Sequence, residues 1–206
     1  MIRGMTTAAF LSASVLAASA QDVAAPAGTY ANDPNHTSVT WSLDHLGLST
    51  YVGRINQTKM TLRFDPDDIA ATRLTAVGDP AAIDTDFEGE RDWDGELARK
   101  PEFFDAGAHP TIRFETTRVE PDDEGGAQVS GNLTMLGVTR AIVLGAAYVG
   151  SVADHPVEGG PAIGFSATGT IKRSAFGMTH LLDQGIADEV TITVDAEFLR
   201  EGALDE

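Results

Sequence analysis

The amino-acid sequence predicts an all-β fold, an antiparallel meander of about eight strands closed into a barrel, with one short helical excursion. Three observations carry that expectation. Apolar and polar residues alternate at a period of two over most of the chain. The alternating runs are separated by short turns rich in Gly, Pro and Asp. One segment alone, Phe87 to Phe104, changes to a charged composition with a spacing nearer 3.6.

Taken in order, the chain begins with Arg3, an apolar run from Ala8 to Ala18, and the small-residue sequence Ala18-Ser19-Ala20. These are the three regions of a secretory signal peptide, residues 1–20, with cleavage expected after Ala20. The run is too short for a permanent anchor, and no later stretch reaches the roughly 20 apolar residues that a spanning helix needs. The protein is expected to be exported to the periplasm without stable membrane insertion. Its formal net charge of −17 excludes nucleic acid as a partner, because phosphate contacts need Lys and Arg. The absence of cysteine removes disulfides, thiolate metal sites and cysteine nucleophiles together. Residues 21–29, rich in Ala and Pro, read as a flexible leader, 30–200 as one folded domain and 201–206 as a tail.

Asp33-Pro34-Asn35 is a turn signal. After it Val39, Trp41, Leu43 and His45 share one strand face, and Thr40, Ser42 and Asp44 share the other. His45 is thereby an inward histidine in need of a partner. Met60, Leu62 and Phe64 alternate with Thr61 and Arg63 in a hairpin partner. Arg73 to Ile83, broken at Gly78-Asp79-Pro80, reads as an irregular or edge strand. Phe87 to Phe104 reads as a short helix through Trp93 and Leu97, interrupted at Gly95 and ended by Pro101, after which Phe103 and Phe104 return to the core.

The rest is strand. Ile112 and Phe114 form one inward row, and Val129, Gly131, Leu133 and Met135 another. After a tight turn at Leu136-Gly137 comes the row Ile142, Leu144, Ala146 and Tyr148. Val143 and Val149 are apolar on the opposite face, which predicts that this strand is covered on both sides. Ile163, Phe165, Ala167, Gly169 and Ile171 follow, closed by Lys172-Arg173-Ser174-Ala175-Phe176-Gly177. The last strand sets Val190, Ile192, Val194, Ala196 and Phe198 against Glu189, Thr191, Thr193, Asp195 and Glu197. A barrel of about eight strands is just wide enough to fill itself with side chains or to hold one small ligand.

At DPNHTSVTWSLDHLG the chain resembles the YceI-like family, lipocalin-like periplasmic proteins associated with polyisoprenoid lipids. The resemblance continues through Arg91-Asp92 with Leu97, Phe103-Phe104-Asp105 and His109 to Phe114. Gly131 to Arg140, Arg173 to Gly177 and Asp188 to Ile192 extend it over the chain from Tyr30 to Phe198. It implies an extended eight-stranded antiparallel lipocalin-like barrel whose apolar cavity takes a long-chain isoprenoid lipid, such as a polyprenyl lipid or quinone tail, with no other cofactor. On the inferred inner face the lining would comprise Trp41, Leu43, His45, Leu62, Phe64, Phe103, Phe104, Ile112, Phe114, Leu133, Met135, Phe165 and Phe176. Arg91 and Arg173, beside the mouth of such a tunnel, could bind a polar head. The alternative, favoured for charges at strand and helix ends, is that Arg91 caps or braces the helical excursion and Arg173 makes a surface pair. A homodimer is compatible with the sequence.

The contrasting reading is a metal- or acid-assisted hydrolase using the histidines. Three imidazoles converging could hold zinc, but no pair among His36, His45, His109, His155 and His180 has helical ligand spacing. His36 and His45 would stand about 30 Å apart along an extended strand. Ser38 or Ser174 with His45 and Asp44 could be imagined as a triad, but no G-x-S-x-G elbow surrounds any serine. No metal site and no catalytic residue is therefore expected. A third reading is a filled barrel with a structural or stress role.

Overall fold

The computed structural model describes residues 23–123 and 125–202; the expected signal peptide and its cleavage site lie outside them. The strands are β1 (Gly28–His45), β2 (Ser49–Ile55), β3 (Thr58–Phe64), β4 (Arg73–Gly78) and β5 (Ile83–Asp84). They continue as β6 (Ile112–Pro121), β7 (Gly126–Met135), β8 (Val138–Val152), β9 (Ala162–Lys172) and β10 (Glu189–Arg200), with one helix, α1 (Trp93–Arg99), between β5 and β6. All pairings are antiparallel, in the order β10-β9-β8-β7-β6-β4-β3-β1-β2-β5, and β10 pairs back to β1. Eight strands thus close the barrel, and β2 with the short β5 branches from the later half of β1. Closure leaves no long unpaired edge.

β1 serves two neighbours because it is 18 residues long. Gly28 to Ala31 pair with β3, and Thr40 to His45 pair with β2. The turn signal at Asp33-Pro34-Asn35 does not precede this strand, as the sequence suggested. It forms a bulge inside it, where the register against β10 shifts between Asn32 and Thr37. The local bonds that suit Asp to a turn are present, with the Asn35 amide donating to Asp33 Oδ1 at 2.7 Å.

Residues 23–29 are not the free leader expected. Ala25 is buried, Val23 packs against the same cluster, and Tyr30 Oη donates to the Pro26 carbonyl at 2.6 Å. β4 is not an edge strand, since β3 and β6 flank it. β8 is uncovered on its outer face, where Val143 and Val149 are exposed, because α1 packs on β5 and the turn before it.

Gly95 does not interrupt α1. Asp92 caps the helix by accepting from the Gly95 amide at 3.2 Å, so closely that a Cβ at 95 would stand 2.2 Å from the carboxylate. The helix ends at Lys100, whose extended backbone precedes Pro101 as expected. The predicted tight turn is the two-residue loop Leu136-Gly137, both residues at positive φ, which matches the twist of a hairpin.

Candidate functional site

The inward rows do two different things along the barrel axis. Toward the end where β1 begins, Tyr30, Leu62, Phe64, Ile163, Ala196 and Phe198 are buried against one another, with Phe165 and Tyr148 packed on them. Phe165 stands edge-on to Phe64, Tyr148 and Phe198, at centroid distances of 5.9, 6.0 and 6.4 Å. That end is solid. Over the rest of the axis the rows surround a cavity of about 470 Å³. Val39, Trp41 and Leu43 line it from β1, Ile112 and Phe114 from β6, Leu133 and Met135 from β7, and Val190, Ile192 and Val194 from β10.

At the other end α1 and two loops form a cap around the mouth. Trp93, Leu97, Phe103 and Phe104 face the cavity from the helical excursion, and Met178, His180, Leu181 and Ile186 face it from the loop before β10. The partner that His45 needs is aromatic. Its ring lies 6.0 Å from that of Tyr51, which in turn stands edge-on to Trp41 at 5.6 Å. Trp41 lies flat enough on Gly53 that a Cβ there would come within 2.2 Å of the indole. The Trp41 indole N–H is shielded and has no hydrogen-bond partner among the described residues.

Of the expected lining, Trp41, Leu43, His45, Phe103, Phe104, Ile112, Phe114, Leu133 and Met135 face the cavity. Leu62, Phe64, Phe165 and Phe176 do not. The first three belong to the solid end, and Phe176 is buried beside the wall with Phe114, Leu133 and Leu144. Alternation identifies the inward face of a strand but not the depth at which filling gives way to lining. The residues that sequence reasoning missed include Val190, Ile192 and Val194, whose alternation was plain, Trp93, which was placed on the helix but not in the lining, and Tyr51, Met178 and Ile186, which no periodic pattern marks.

The two arginines differ from each other. Arg91 sits at the mouth with its guanidinium 4.4 Å from the centre of the Trp93 ring, and it donates to both Glu96 oxygens at 2.7 and 2.5 Å. Arg91, then Lys100, hold the Glu96 carboxyl down at about 2. Arg173 also lines the cavity, but it is buried and four of its five N–H donors are taken by the chain itself. It donates from Nε to Ala187 at 2.8 Å, from Nη1 to Met178 at 3.2 Å and His180 at 2.7 Å, and from Nη2 to Ile186 at 3.0 Å, always to backbone carbonyls. Burial lowers its pKa, and Asp188 partly offsets that. Its function in the site is to brace the loop that supplies Met178, His180, Leu181 and Ile186.

Among the described residues no three histidines come together, although His36 and His155 both approach Glu197. His36 pairs with Asp33, His155 contacts Glu197 at 3.1 Å, and His180 stands edge-on to Phe103. The one group with metal-ligand spacing among the described residues is Asp33, His36 and Glu197, and none of the three lines the cavity. Ser174 Oγ donates to Asp188 at 2.7 Å, and the Asp44 carboxylate accepts from the Gly47 amide, so neither joins His45 in a triad.

A closed antiparallel barrel, solid at one end and holding an apolar cavity behind a helical cap, is the architecture of a lipocalin-like container. The YceI-like domain family matches residues 30–198, and the chain belongs to that family. A UPF0312 protein of Ectopseudomonas mendocina is 32% identical over 180 residues, covering 86% of this chain and 90% of that protein. Among solved structures, BcnA of Burkholderia cenocepacia superposes with a TM-score of 0.68 at 22% identity, covering 81% of this chain and 98% of that one. A polyisoprenoid-binding domain from Saccharophagus degradans, implicated in plant cell wall breakdown, superposes at 0.58 with 11% identity, covering 84% and 99%. No helix among the described residues is long and apolar enough to cross a membrane.

Proposed function

We propose that the protein is an exported binding protein that holds one isoprenoid or similar long-chain lipid in its barrel cavity, for transport or storage in the periplasm. A polyprenyl lipid, a quinone tail and a fatty-acid-like chain all have the required chemistry. The observation that carries this reading is the apolar cavity of about 470 Å³ that the inward rows leave unfilled. At about 24 cal/mol per Å³, a dry void of 470 Å³ would cost on the order of 10 kcal/mol, comparable with the whole stability of a typical domain. A cavity of that cost is intelligible when an apolar chain occupies it, since each buried methylene returns about 0.8 kcal/mol. The name of the Saccharophagus neighbour points to the same class of ligand. No bond-making step is required, and the placement of the histidines gives the hydrolase reading no support.

Arg91 remains the head contact in this proposal, because it stands at the mouth. The protein contains two tryptophans, Trp41 and Trp93, and both line the cavity. The test is to titrate the protein with a fatty acid brominated along its chain and to follow tryptophan emission. Saturable quenching of both indoles, competed by the unbrominated acid, is expected. Emission unchanged at ligand concentrations that quench free tryptophan would overturn the proposal.

A further inference from the structure

We infer that the aromatic cluster at the solid end is a chain-length gauge, with Phe165 at its hub; this rests on the lipid-binding reading above. Along β3, β9 and β10 the inward row changes from lining to filling, while on β4 Leu74, which pairs with Leu62, still lines the cavity. On β10 the lining ends at Val194, and Ala196 and Phe198 on the same face belong to the solid end. On β9 it ends at Ala167, with Phe165 the next inward residue, and on β3 it ends at Met60, with Leu62 and Phe64 beyond. The register aligns the steps of β9 and β10, since Ala167 pairs with Val194 and Phe165 with Ala196, and Tyr148 on β8 pairs with Phe165. Met60 belongs both to the lining and to the cluster, and Val39, Leu74, Ala76 and Val194 line the cavity while packing against that cluster, so these side chains together form the floor.

The floor is stiff. Edge-on contacts of Phe165 with three other rings lock it, and Tyr30 stands edge-on to Phe64 at 6.5 Å behind them. A chain can enter only from the mouth, where Phe87 and Arg91 are exposed, so it goes in tail first and stops at Met60. The lumen between Val39 and His45 covers six residue steps of β1, roughly 20 Å along the strand and about 15 Å along the axis after the usual tilt. Methylenes within that depth gain burial, and those beyond it stay in water at the mouth. The gauge therefore selects the length of the buried segment and leaves the rest of the lipid unread.

The experiment uses the n-alcohols from hexanol to octadecanol, neutral probes that the acidic chain does not repel, with affinity read by tryptophan emission or by displacement of a fluorescent fatty acid. For the unaltered protein, affinity is expected to rise about fourfold per added methylene and then to break to a plateau. In Phe165→Ala the break moves to longer alcohols by at least two methylenes. In Ala167→Leu, which fills the lumen just above the floor, it moves to shorter ones. Should Phe165→Ala fail to fold, Phe165→Leu and Ala167→Leu carry the test. A break at the same length in all folded variants overturns the gauge while leaving lipid binding intact. Absence of binding by the unaltered protein at every length overturns the lipid-binding reading, and the gauge with it.

Discussion

The Trp93 indole donates a 2.7 Å hydrogen bond to the Tyr51 hydroxyl, joining the helical cap to the β2 strand across the mouth of the cavity. Trp93 also stacks edge-on with Phe103 at 5.6 Å and carries the Arg91 guanidinium on its face. This bond lies within an aromatic patch and joins other polar links of the cap, since the Thr85 amide and hydroxyl beside β5 donate to Asp94 of the helix. Removing the link by Tyr51→Phe is expected to cost about 1 kcal/mol of stability, because a half-buried donor loses its partner while the packing survives. Chemical denaturation measures this, and an unchanged midpoint would show that water replaces the hydroxyl without loss.

Arg173 is expected to be among the least replaceable side chains. Four backbone carbonyls converge on one planar cation, and Asp188, which accepts from the Ser174 amide at 2.9 Å and its hydroxyl at 2.7 Å, lies next to the strand it braces. Arg173→Lys keeps the charge but cannot fan its donors over four acceptors, so a loss of about 2–4 kcal/mol is expected. Thermal unfolding reads the loss. The same variant should admit proteolysis between Met178 and Ile186 at a protease concentration expected to leave the unaltered protein intact; an equally protected loop in Arg173→Lys would refute the bracing role.

The bulge in β1 gives the fold a pH dependence. Burial pushes the Asp33 carboxyl up, but the His36 ring and the Asn35 amide more than offset it and leave it below its ordinary value. Asp33 in turn raises the pKa of His36. The His36 contribution to stability is fully present below the ordinary imidazole value of about 6.5 and is lost as pH rises through the raised one. The Asp33 contribution is present above about 3.9 and is lost as pH falls through the depressed one. Melting temperature should thus fall as pH rises above about 6.5, and His36→Ala should flatten that slope. An equal slope in the variant would assign the dependence to other groups.

Gly53 is expected to accept no larger residue. A Cβ there meets the Trp41 ring at 2.2 to 3.0 Å, so Gly53→Ala must push the indole into the lumen. A cost of about 1–3 kcal/mol follows from overpacking. Blue-shifted or quenched Trp41 emission together with weaker alcohol binding is the expected signature; unchanged binding would show that the indole yields in another direction.

Most of the fold was legible because period-two alternation is a direct record of which face a strand buries. It yielded the barrel, the hairpin turn at Leu136-Gly137 and nine of the lining side chains. The same record is blind to depth, which is why Phe64 and Phe165 were expected in the lining and were found beneath its floor. It is also blind to burial of charge. Arg173 looks like any strand-end cation until the loop that folds around it is known, and Ile186 and Met178 join the cavity only through that loop. The helix was legible in composition, but Gly95 was misread, because a close approach to Asp92 favours glycine where propensity alone disfavours it.

The central claim is that the cavity is occupied in the cell envelope. Native mass spectrometry of the protein purified from that envelope without detergent, followed by organic extraction, tests it most directly. A stoichiometric adduct whose extract is a long-chain isoprenoid or similar lipid is expected. A bare polypeptide mass, with no lipid in the extract, would contradict it and favour a barrel whose role is structural.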